Sequence, residues 1–144
     1  MTDKIVFGVD PGKNGGIAVL GYSSKPLVYK MPPSEEALSQ LLYYDLDIAH
    51  DLVVLERVRS SPQMGVVSAF TFGWGYGMLR MAFTAAHARI EEVTPQKWQK
   101  ALGCMTGGDK NVTKAKAQAM FPDVKVTHWN ADALLLAEYG RRFL

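Results

Sequence analysis

Cysteine is nearly absent from this chain. Cys104 is the only one among 144 residues, so no internal disulfide can form and no multi-thiolate metal site can be built. Long apolar runs are missing too. The best candidate, Val66 to Ala86, is broken by Gly73, Gly75, Gly77 and Arg80, which argues against a membrane span. The N-terminal apolar stretch lacks the small-residue cleavage site of a signal peptide. Together these features point to a reducing cytoplasm. Net charge is scarce as well. At +2 near neutral pH it does not by itself announce a nucleic-acid partner. Repeats, low-complexity tracts and linkers are also lacking, and the length suits one domain, residues 1–144, around a single core.

The charge that is present is unevenly spread. Residues 1–75 hold 6 Lys/Arg against 8 Asp/Glu, net −2, and residues 76–144 hold 10 against 6, net +4. An acidic site beside a basic contact surface would produce this asymmetry, and so would an ordinary solvated basic face.

Apolar patterning predicts a short strand over 4–10 and a second over 15–21, joined by a tight turn through Pro11-Gly12 and Asn14-Gly15. A third strand covers 27–31, and Pro32 and Pro33 stop it. Ser34 caps a helix to about Tyr43, with Glu35 and Glu36 in its first turn. Leu52-Val53-Val54-Leu55-Glu56 reads as a strand covered on both faces. A helix follows from Gly65 to about Ala86, then a strand over 90–93. Thr94 and Pro95 open another helix, and two more span about Thr113 to Met120 and Asn130 to Arg141. This order predicts an α/β fold: an antiparallel meander, then β/α alternation, giving a mixed sheet with helices on its faces.

Three carboxylates stand in apolar surroundings. Asp10 closes the first strand, where Gly12, Gly15 and Gly16 keep side chains away and let a phosphate approach. A plain turn acid in Asp-Pro-Gly would look the same. Glu56 ends the most apolar strand, and an ionised carboxylate is costly there without a partner. Alternation sends Arg57 to the opposite face. Asp132 borders the packed face of the last helix, although a first-turn acid is also favoured by the helix dipole. His128 lies four residues earlier and would share that face if the helix began by then. Three acids converging from two strands and a helix would suit Mg²⁺ or Mn²⁺, which prefer oxygen ligands. Two such ions about 4 Å apart would clamp an in-line attack on a phosphodiester.

Several segments resemble the RuvC-like Holliday junction resolvases, nearest to the phage and prophage variety. They are Val9-Asp10-Pro11-Gly12 with Gly16-Ile17-Ala18, then Val54-Leu55-Glu56-Arg57-Val58, and Ala131-Asp132-Ala133-Leu134-Leu135-Leu136-Ala137-Glu138-Tyr139-Gly140. Ser61 to Ser68, Phe70-Thr71-Phe72-Gly73, Thr94 to Trp98, Asp109-Lys110 and Lys114-Ala115 extend the similarity over nearly the whole chain. The resemblance implies an RNase H-like fold of five strands, the first three antiparallel, flanked by helices. It implies a homodimeric, metal-dependent crossover junction endonuclease that cuts four-way or related branched DNA, in a bacterial or phage-infected cytoplasm. By motif match Asp10, Glu56 and Asp132 would hold the metal, and His128 would be the fourth group. His128 would either ligate the ion, favouring Mn²⁺, or handle water and the leaving-group proton.

One departure concerns position 59. Cellular members carry an aromatic three residues after the strand-ending Glu, and this chain has Arg59. Arginine can stack or grip phosphate. Lys110 and Lys114 are expected to contact phosphates, which gives affinity without sequence information. Phe70, Phe72, Trp74 and Tyr76 alternate with Gly73, Gly75 and Gly77. The glycines suggest close approach by another backbone, of a dimer partner, the sheet or DNA. Internal packing is expected for most of the aromatics, with a dimer surface on part of this helix. Trp129 is expected to pack under the last helix.

Two competing classes share some of these features. An actin-like ATP-binding phosphotransferase also opens with a strand, an acid and a Gly-rich hairpin, but it needs two lobes to close on the nucleotide. A non-cleaving DNA-binding module has no use for carboxylates beside phosphates.

Overall fold

A computed structural model describes residues 4–144. Its five strands and five α-helices follow the expected order. Strands β1 (Val6–Asp10), β2 (Gly16–Leu20) and β3 (Leu27–Lys30) are followed by α1 (Glu35–Ser39), β4 (Leu52–Glu56), α2 (Val66–Ala85) and β5 (Arg89–Val93). Helices α3 (Pro95–Leu102), α4 (Lys110–Met120) and α5 (Ala131–Phe143) complete the described chain. The five strands form one mixed sheet in the order β3-β2-β1-β4-β5. β1 runs antiparallel to β2 and β2 to β3, while β4 and β5 run parallel to β1. No helix among the described residues is long and apolar enough to cross a membrane.

Local chemistry sets most boundaries. Ser34 caps α1 by accepting from the Ala37 N–H, and Thr94 caps α3 by accepting from Lys97, with Pro95 at the first helical position. Two helices differ from expectation. After Ser39 the first helix widens into a π-helix over Gln40–Asp45 instead of continuing as α to Tyr43. Helix α4 starts at Lys110 rather than Thr113, because the Asp109 carboxylate accepts from the Asn111 N–H at 2.9 Å and caps the earlier position.

The sheet carries a core on each face. Val6, Ala18, Leu20, Leu52 and Val54 face α3, α4 and α5, while Phe7, Val9, Ile17, Val19, Val53 and Leu55 face α1 and α2. Helix α5 is the better covered side, with Ala133 to Ala137 fully buried. Its buried Glu138 is neutralised within the helix by Arg141 and Arg142, at 2.5 and 2.7 Å.

Helix α5 lies very close to β1. A Cβ placed on Gly8 would sit 2.0 Å from the Ala133 carbonyl oxygen and 2.4 Å from the Ala137 nitrogen. Only glycine admits this contact, since backbone atoms cannot swing aside as a side chain can. At the other end of the helix, Gly140 fits against the side chains of Val6 and Val54 rather than against backbone. Gly8→Ala should therefore destabilise the protein by about 3 kcal/mol or more, beyond a typical overpacking cost. Urea denaturation will check this; a midpoint near the parent's would contradict the close approach.

Candidate active site

Two neighbouring strands end in acids. β1 and β4 pair in parallel, with Val6 opposite Leu52 and Val9 opposite Leu55. One residue further along that register, Asp10 falls beside Glu56. Alternation puts both on the face that holds Val6, Gly8, Leu52 and Val54. Helix α5 crosses that face and touches Gly8 with Ala133. Asp132 directly precedes Ala133, so its carboxylate enters at the C-terminal ends of both strands. A parallel register and one helix contact thus gather acids from three distant points of the chain.

Burial and mutual repulsion hold these acids away from their ordinary state. Burial, followed by the charges of Glu56 and Asp132, pushes Asp10 up to about 8, while Lys110 pulls the other way. Burial raises Glu56 to about 7, opposed by a hydrogen bond from Trp98 and assisted by Asp132. Asp132 is also raised by burial, against the Thr113 hydroxyl, Lys110 and His128. The mutual coupling of the three acids is the electrostatic sign that they form one cluster.

A cleft of about 310 Å³ opens at Asp10 and Asp132. Pro11, Gly12, Lys13, Asn14 and Gly15 form its hairpin wall, and Phe72, Lys110, Thr113, His128 and Ala131 complete it. A Cβ on Gly15 would lie 2.0 Å from the Asp10 carbonyl oxygen and 3.2 Å from its carboxyl carbon, so the hairpin closes over Asp10 only because residue 15 is glycine. Trp129 is half-buried, its ring edge and carbonyl against Gly16 and the Lys30 amine 5.8 Å from its ring centre.

The residues singled out in the sequence are not all brought together. Asp10, Asp132, His128 and Lys110 line the cleft, and Glu56 stands beside Asp10 beneath it. The condition under which His128 would share a helical face with Asp132 is not met. Helix α5 begins at Ala131, so His128 lies in the preceding turn and does not share a helical face with Asp132. Lys114 is one turn beyond Lys110 on α4, half-buried and outside the cleft lining. Arg59 is exposed in the loop after β4, also away from that lining. The aromatics of α2 correct an expectation. Phe72 and Tyr76 are half-buried, but Phe70 and Trp74 are 69% and 61% exposed. Among the described residues nothing outside the helix's own neighbouring turns lies within 4 Å of a Cβ on Gly73, Gly75 or Gly77, so the sheet is not the backbone that approaches them.

Three contributors were not evident in the sequence. The Trp98 indole Nε1–H donates to Glu56 Oε2 at 2.8 Å. Thr113, buried on α4, faces Asp132. Phe72 forms part of the cleft wall. The only sequence sign of Trp98 was its place as a large aromatic in an otherwise polar helix start.

The donor set fits a hard divalent cation. It offers carboxylate oxygens that repel one another, with Lys110 as the cation acting on both Asp10 and Asp132. Among the described residues no three His, Cys, Asp or Glu side chains already close around a common point. The acids are repelling neighbours rather than a preformed cage.

The fold is that of the RuvC resolvases, an RNase H-like mixed sheet with its first three strands antiparallel. The chain is similar to RuvC of Thermus thermophilus in complex with Holliday junction substrate over 94% of its own length and 91% of that chain, with TM-score 0.65 and 18% identity. Against another T. thermophilus RuvC structure the values are 94%, 92%, 0.63 and 21%. The yeast mitochondrial Holliday junction resolvase Ydc2 aligns over 97% of this chain and 78% of its own, with TM-score 0.51 and 13% identity. No family model matches the sequence, and no curated protein matches it significantly.

The raised carboxyl of Asp10 has a stability consequence. Its folded value of about 8 exceeds the ordinary 3.8, so the folded state binds the extra proton between those limits. Stability therefore falls as pH rises through that window and the deficit is complete above about 8. With chelator present, Asp10→Asn should stabilise the fold at pH 8 and have little effect near pH 4. Thermal melts at both pH values will check this; an equal effect at both would contradict the burial of an unpaired acid.

Proposed function

We propose that this protein is a divalent-cation-dependent endonuclease that hydrolyses phosphodiesters in four-way or related branched DNA. The observation that carries the reading is the proximity of Asp10, Glu56 and Asp132 at the ends of β1 and β4 and the start of α5, with Asp10 and Asp132 lining a cleft that also presents Lys110 and His128. The fold it shares with a junction-bound resolvase supports DNA as the substrate. Resolution or repair of joined DNA molecules is the corresponding role, and the cytoplasm is where that DNA would be met.

Asp10, Glu56 and Asp132 would hold one or two Mg²⁺ or Mn²⁺ ions, with His128 as a further ligand or as a proton carrier. Bound cations would neutralise phosphate charge and make water more acidic. The remaining work falls to the chain itself. Lys110 would offer its ammonium to the phosphate within the cleft, beside the hairpin wall at Gly12, where residue 12 places no side chain in the way. Water adds to phosphorus, one P–O ester bond breaks, and the departing oxygen takes up a proton. His128 borders the cleft and would carry that proton from the attacking water to the departing oxygen. Lys114 and Arg59 would grip the strands further out.

Severing a four-way junction into two duplexes requires two cuts, and one chain brings one acid cluster. A homodimer supplies the second. Helix α2 offers a surface for it, because Val66, Phe70, Gly73, Trp74, Gly77 and Met81 share one helical stripe. Its large side chains are exposed, and the two glycines leave room for close approach of another backbone.

Incubation with a four-way junction and Mg²⁺ or Mn²⁺ should give paired cuts near the branch point, with linear duplex left intact. Asp10→Asn, Glu56→Gln and Asp132→Asn should each abolish cutting while retaining junction binding. Activity equal to the parent's in all three would remove the site. His128→Ala should slow cutting by about 100-fold or more without loss of binding. Light scattering at micromolar concentration should report a dimer, converted to monomer by Phe70→Asp with Trp74→Asp; a dimer unaffected by that pair would place the interface elsewhere.

A further inference from the structure

We propose that Trp98 is the positioning residue for Glu56, locking one carboxylate oxygen so that the other is presented to a divalent cation. This rests on the nuclease reading above. Trp98 has no solvent exposure and belongs to the core beneath α5. A buried indole N–H needs an acceptor, and here the acceptor is Glu56 Oε2, at 2.8 Å. An indole can only donate, so it suits a carboxylate oxygen and has no lone pair to compete for a cation.

The contact is enforced from both ends. Glu56 pairs in register with Val93, the last residue of β5, and the Arg57 N–H donates to the Val93 carbonyl at 2.8 Å. Thr94 then caps α3 and Pro95 opens it, so the chain turns from strand to helix directly after the residue beside Glu56. Trp98 follows in that first turn, returning its ring under the strand end. The other oxygen is left differently. Oε1 of Glu56 receives no hydrogen bond among the described residues and is not sealed from solvent. Trp98 thus divides the carboxylate into an anchored oxygen and an available one. Partners that hydrogen-bond a metal-ligating carboxylate in this way typically change metal affinity by about 10–100-fold when removed.

Trp98→Phe keeps an aromatic ring and deletes the donor. Calorimetric titration with Mn²⁺ should show about 10-fold weaker binding than the parent, in a variant whose circular dichroism spectrum and cooperative melt show it folded. If a folded variant binds Mn²⁺ as the parent does, the proposal fails while the nuclease reading stands. If the parent itself neither binds Mn²⁺ nor cuts branched DNA, it is the nuclease reading that fails. Should the variant not fold, the parent decides the question by NMR. The Trp98 indole N–H signal, identified among those of Trp74, Trp98 and Trp129 by Trp74→Phe and Trp129→Phe, should move on addition of Mg²⁺ and in Glu56→Gln. A signal unmoved by both overturns the proposal.

Discussion

The contact between Gly8 and helix α5 governs much else in this molecule. Without a side chain at position 8, the backbone of Ala133 and Ala137 rests directly on β1. That closeness fixes where α5 begins relative to the strand ends. It therefore fixes where Asp132 stands relative to Asp10. The same helix is buried along most of its length, and its only deeply buried internal acid, Glu138, is neutralised by its own arginines. The negative charge that α5 leaves without an ion-pair partner is consequently concentrated at its first turn, facing the two strand-ending acids.

This arrangement trades stability for chemistry. Burial raises all three carboxyls, and repulsion among them adds to the effect at Asp10 and Glu56. Hydrophobic cores on both faces of the sheet must outweigh that cost. Lys110 and Thr113 on α4, Trp98 on α3 and His128 in the turn before α5 each offset part of it. A cluster so poised is receptive to cationic charge, which would relieve the repulsion that the polypeptide tolerates.

Much of the fold was legible because strand periodicity and capping residues are local signals. The apolar run ending in Glu56, the caps at Ser34 and Thr94, and the opening hairpin all appear within a few residues of sequence. The acids were legible for a related reason, since each interrupts an apolar pattern that has no use for charge. What stayed hidden depended on partners far along the chain. Trp98 meets Glu56 across 42 residues, and nothing near Gly8 announces a helix that arrives more than a hundred residues later. The place of His128 turned on where the last helix begins, because a boundary a few residues earlier would have put it on the same helical face as Asp132. Helix α2 misled for another reason. Apolar residues surround it, so its pattern selects no inward side, and only the packing of Leu79 and Phe83 reveals which face is covered.

The register between β1 and β4 carries one more implication. Side chains alternate faces along a strand, so a slip of a single residue would turn Glu56 toward Phe7 and Val9 of β1. A carboxylate would then be forced into an apolar layer, and the remaining acids would lose their neighbour. The charged strand end thus discriminates against misaligned pairings of two otherwise interchangeable valine- and leucine-rich segments. A molecule able to assemble its acid cluster is, by that fact, a molecule whose central strands have found their correct alignment.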